Sequence, residues 1–69
     1  MTQSRAPHVL TTLCRCALES MRNGGVPLSS LDGDVRATLE ERGVAWEITE
    51  GYLELTPGGR GVEPGSFYL

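Results

Sequence analysis

The chain has 69 residues, with six arginines and no lysine against nine carboxylates, a formal charge of −3. That length holds one domain, and the mildly acidic balance argues against a nucleic-acid binder, whose affinity rests on a basic face that neutralises phosphates. No apolar run approaches the roughly 20 residues of a membrane helix, and MTQSRAPHVL lacks the charged, apolar and cleavage regions of a signal peptide.

Cys14 and Cys16 make no disulfide framework. They lie two apart, and on a helix that spacing points them to different sides. Reduced cysteines suit a cytoplasmic location. A core this small rarely contributes more than about 3–5 kcal/mol unaided, so tight packing or a partner is expected to help.

Residues 1–6 read as a loose polar arm. Pro7 suits the first turn of a helix, where its missing N–H costs nothing. Leu10, Leu13, Cys14, Ala17, Leu18 and Met21 then fall on one helical face. Asn23-Gly24-Gly25 ends that helix, and Pro27 keeps it from resuming. Val26-Pro27-Leu28 reads as an extended connector, and Ser29-Ser30-Leu31-Asp32 resembles a capping box. Leu31, Val35 and Leu39, spaced by four, carry a second helical stretch to about Arg42. Gly33 weakens its middle, so it can split into a short turn at 29–32 and a helix proper from Asp34. Gly43 terminates it.

The period then becomes two: Val44, Trp46 and Ile48, and later Leu53 and Leu55, alternate with more polar positions. Glu50-Gly51 is the expected two-residue turn of a hairpin. With that tip, Ile48 faces Leu53 and Trp46 faces Leu55 toward a core, while Glu47 faces Glu54 outside. Residues 57–66 read as loop, followed by the apolar end Phe67-Tyr68-Leu69. The expected organisation is an arm at 1–6, one domain at 7–62 and a tail at 63–69.

Helix, connector, helix and a hairpin closed by Leu55-Thr56-Pro57-Gly58-Gly59-Arg60 together resemble the winged helix-turn-helix family. Bacterial members commonly carry L-T-P-x-G-R after the second wing strand. Leu39-Glu40-Glu41-Arg42-Gly43 is similar to the segment leading from their recognition helix into the wing. The resemblance covers roughly residues 8–61. It implies an α+β fold, a small winged-helix-like domain of two main helices plus a C-terminal β-hairpin. The chain departs from the family in length. Two helices and their turn usually take about 20 residues, and Ser29 to Arg42 gives fourteen, so the second helix has shrunk to one turn or is absent.

The resemblance places Arg36, Arg42 and Arg60 as the DNA-contacting candidates of a transcriptional regulator, dimeric in that reading. Its wing would bring Glu47, Glu50 and Glu54 toward phosphates, which is repulsive. Those glutamates better suit a basic protein surface, or simply water. Phe67 and Tyr68 either fold back over the core or dock on another chain.

No catalytic constellation is present: His8 has no evident nucleophile or orienting partner. Cys14, Cys16 and His8 lack the spacing of a zinc site. Gly58-Gly59-Arg60-Gly61 lacks the lysine, hydroxyl and following helix of a phosphate loop. The expectation is therefore a non-enzymatic protein–protein interaction module with no cofactor and no membrane partner. Its class includes, by analogy, phage- or mobile-element-encoded inhibitors and regulators of host machinery. A DNA-binding winged-helix regulator is the alternative, and a homodimer is compatible with either.

Overall fold

The computed structural model describes residues 6–69. The arm expected at the N-terminus falls almost wholly outside them. The first apolar face forms helix α1, Pro7–Met21, with Pro7 in its opening turn. It buries Cys14, Ala17, Leu18 and Met21. Strand β1, Val26–Pro27, follows, and then a 3₁₀ turn at Leu28–Ser30. The Ser30 hydroxyl donates to the Pro27 carbonyl at 2.8 Å within that turn. Helix α2, Gly33–Glu41, buries Val35 and Leu39. The second stretch thus divides near Gly33, as its weak middle leads one to expect.

Strands β2, Ala45–Thr49, and β3, Tyr52–Leu55, meet at the Glu50-Gly51 tip. Gly51 has φ +85°, a left-handed conformation that glycine adopts without a Cβ penalty. The connector is also a strand: β1 pairs antiparallel with β3, Val26 opposite Leu53 and Pro27 opposite Tyr52. The result is a three-stranded antiparallel sheet in the order β1-β3-β2. With its helices it makes an α+β fold. Among the described residues no helix is long and apolar enough to cross a membrane.

The hairpin register departs from the alternation expected of it. Thr49 faces Tyr52 at the tip, but Trp46 faces Glu54 and Ala45 faces Leu55, with an irregularity between Trp46 and Thr49. Two residues of β2, Glu47 and Ile48, stand where β3 has only Leu53, which is a bulge. It turns Ala45 inward and Trp46 outward. Ala45 is fully buried, whereas Trp46 is 56% and Ile48 59% exposed. The expectation that Trp46 and Ile48 line the core is therefore corrected.

The cause lies at the open end of the hairpin. The Thr56 hydroxyl donates to the Gly43 carbonyl at 2.7 Å, and the Thr56 N–H donates to the Val44 carbonyl at 3.1 Å. The Val44 N–H in turn donates to the Leu39 carbonyl at 3.2 Å. These bonds lock the start of β2 against α2 and the end of β3. The turn fixes the register at one end and Thr56 fixes it at the other, and the bulge absorbs the extra residue.

The stretch read as loop after β3 contains a one-turn helix, α3, Pro57–Arg60. Thr56 caps it, its hydroxyl oxygen accepting the Gly59 N–H at 3.0 Å. A second 3₁₀ turn spans Pro64–Ser66, with Pro64 buried. Phe67 then joins Leu18, Leu39, Leu53 and the rest of the core at 5% exposure. The C-terminal segment is part of the packed unit rather than an appendage to it.

Candidate interaction surface

The side chains singled out in the sequence separate into engaged and free groups. Glu47, within the bulge, points at its own fold. One of its carboxylate oxygens accepts the Gly51 N–H at 2.9 Å, and the other accepts from the Arg36 guanidinium at 3.2 Å. Arg36 also reaches Glu40, one turn along α2, at 3.1 Å. Glu47 therefore steadies the turn and ties it to α2, and it is not a free contact residue. Glu50 is exposed at the tip. Glu54 is partly buried on the outer face of β3.

Phe67, a candidate for partner contact, is inside the core and presents no surface to a partner. Its neighbour Tyr68 is 66% exposed. Two arginines hold these residues. The Arg15 Nε donates to the Phe67 carbonyl at 2.9 Å, and its guanidinium lies 4.5 Å above the Tyr68 ring centre. Arg42 donates to the Tyr68 carbonyl at 3.0 Å and lies 5.6 Å from the centre of the Phe67 ring.

The three arginines proposed to contact DNA are thus dispersed in role. Arg36 is paired to two glutamates, Arg42 grips the C-terminal segment, and Arg60 is exposed at the end of the single turn of α3. Six residues separate Arg36 from Arg42, which places them about 120° apart around a helix axis. Of the cysteines, Cys14 is buried and Cys16 exposed. Burial pushes the Cys14 thiol above its ordinary pKa, an effect partly offset by the Arg42 charge. Among the described residues no group of three or more His, Cys, Asp or Glu side chains could hold a metal ion.

The outer face of the hairpin gathers several exposed side chains. Trp46 lies directly across from Glu54, and Tyr52 lies two residues from Glu54 on the same strand, so all three share one side of the sheet. Thr49, opposite Tyr52, completes the row. Tyr52 is 44% exposed, and Ile48, within the bulge between Trp46 and Thr49, is exposed as well. Gly25, just before β1, borders the same face. A Cβ at Gly25 would come within 3.1 Å of Glu54 Cγ and 3.2 Å of Tyr52 Cβ. Its bare backbone therefore floors a shallow cleft of about 280 Å³, lined by Gly25, Thr49, Tyr52 and Glu54. Chemically this is a flat aromatic and aliphatic surface with one carboxylate in its centre and another, Glu50, at its end.

The sequence reading missed this surface because it turned Trp46 inward. A residue-by-residue alternation cannot register a bulge. Comparisons of the chain with family models, curated proteins and solved structures gave no match.

Proposed function

We propose that this chain is a non-catalytic protein–protein interaction module with a winged-helix-like arrangement, and that it meets its partner through the outer face of the hairpin. The observation that carries the reading is the exposure of Trp46, Ile48 and Tyr52 together on one two-stranded element. Large apolar groups clustered on a surface mark contact sites, and tryptophan and tyrosine dominate the binding energy of interfaces. The winged-helix likeness draws on the element order of helix, connector, helix and hairpin, with a 3₁₀ turn standing where the shortened helix is expected. The DNA-binding alternative draws on the same likeness, but Arg36 and Arg42 are already committed within the fold.

The test is affinity capture from host lysate with the wild-type chain and with a Trp46→Ser/Ile48→Ser variant, followed by identification of both protein and nucleic acid. The reading expects a discrete protein that the variant loses. Recovery of nucleic acid without a specific protein, or a partner indifferent to the variant, would overturn it.

A further inference from the structure

The chemistry of the hairpin face says what kind of partner it fits. Glu54 sits between the Trp46 and Tyr52 positions and makes no ion pair among the described residues, and neither does Glu50. Glu47 is paired with Arg36, which it shares with Glu40. The face therefore offers two uncompensated carboxylates beside two aromatic rings. A cation lying over an aromatic ring gains from the ring quadrupole, and a charge-assisted hydrogen bond to a carboxylate strengthens the same contact. An arginine or lysine satisfies both at once, and its aliphatic stem covers apolar surface. Gly25 leaves room for such a side chain beside Glu54, where any Cβ would crowd it.

A second copy of this chain fits poorly. A two-fold interface applies the same patch to itself, which would bring together two faces whose unpaired charges, Glu50 and Glu54, have the same sign. The chain as a whole is also acidic, at −3. A nucleic acid brings phosphates to the same carboxylates.

We infer that the face is occupied by a basic segment of a partner protein, one of whose arginine or lysine side chains enters the cleft of Gly25, Thr49, Tyr52 and Glu54 beside Trp46. The inference rests on the interaction reading above and adds the chemical class of the partner.

Trp46 is the sole tryptophan, so its emission reports directly on the site. The intact chain is titrated with a capped peptide of alternating arginine and valine, with its glutamate–valine counterpart, and with a short DNA duplex. The arginine peptide is expected to shift Trp46 emission saturably, with affinity falling as salt rises. Glu54→Gln should weaken it by about fivefold or more, the scale of one ion or cation–π contact. Glu19→Gln, which removes the same charge from an exposed position on α1, should leave it unchanged. Trp46→Phe, followed through the Gly25 amide signal by NMR, should keep part of the affinity, and Trp46→Ala should lose it.

Equal response to the acidic peptide or to DNA would overturn the inference. So would a matching loss in Glu19→Gln, or an emission shift on simple concentration of the chain. If lysate capture still depends on Trp46 while the arginine peptide gives no response, the basic partner is wrong and the interaction surface stands. If both fail, both readings fall.

Discussion

Single side chains in this protein matter in proportion to where the bulge and the core place them. Leu53 is fully buried, so Leu53→Ala should cost about 2–5 kcal/mol in chemical denaturation. Trp46→Ala, at a position that alternation assigns to the core, should cost less than about 1 kcal/mol, because the ring is mostly in solvent. A large loss there would show that the indole is buried after all. The cysteines give a second contrast. Under native conditions iodoacetamide should label Cys16 and spare Cys14, which is fully buried. The raised Cys14 pKa also has a sign. At pH below the ordinary thiol range both folded and unfolded chains keep the proton, and the full contribution to stability is present. As pH rises through that range the unfolded thiol ionises first, so stability should decline. The denaturation midpoint of wild type should therefore fall with rising alkalinity more than that of Cys14→Ala.

At the scale of elements, the junction of β3 and α3 governs the register. Gly59 lies so close to the turn into β2 that a Cβ there would overlap the Val44 carbonyl oxygen, at 1.8 Å. The obstacle is backbone and cannot swing aside. Gly59→Ala should destabilise by at least about 1–3 kcal/mol in thermal unfolding, the range of overpacked sites. Gly58→Ala, with only Thr56 Oγ1 at 3.8 Å from its Cβ position, should be tolerated. Glu47→Gln should loosen the hairpin tip by about 1 kcal/mol through the lost ion pair and the weakened turn bond, read as faster hydrogen exchange at Gly51. Helix α1 was legible because its signal is local: one apolar face repeating every three or four residues. The Glu50-Gly51 tip was legible for the same reason. The register was not, since it depends on Thr56 reaching Gly43, thirteen residues away. Helix α3 did leave a trace, a threonine followed by proline, which is a cap and a first-turn residue. The surrounding glycines masked it.

At the scale of the whole molecule, the C-terminal segment completes a core that the helices and sheet alone leave open. Phe67→Ala should therefore cost about 3–5 kcal/mol, while Tyr68→Ala should cost less than about 1 kcal/mol, since it removes an exposed ring and one cation–π contact. Equal effects in calorimetry would contradict the placement of Phe67. That segment was readable only as an alternative between covering the core and docking elsewhere, because its anchors, Arg15 and Arg42, are far away along the chain. The candidate surface was half readable: Glu50 and Glu54 were named and alternation set Tyr52 outward with Glu54, while Trp46 beside them was assigned inward.

The kink at Glu47 and Ile48 has one more effect, because β2 is an outermost strand of the sheet. A straight margin with bare peptide groups invites further strands and, in the end, fibres. A buckled margin offers no continuous ladder to copy. Concentrated solutions should consequently stay clear and negative for amyloid dyes despite the sticky rings nearby. The same irregularity that turns tryptophan outward also keeps these molecules from polymerising along it.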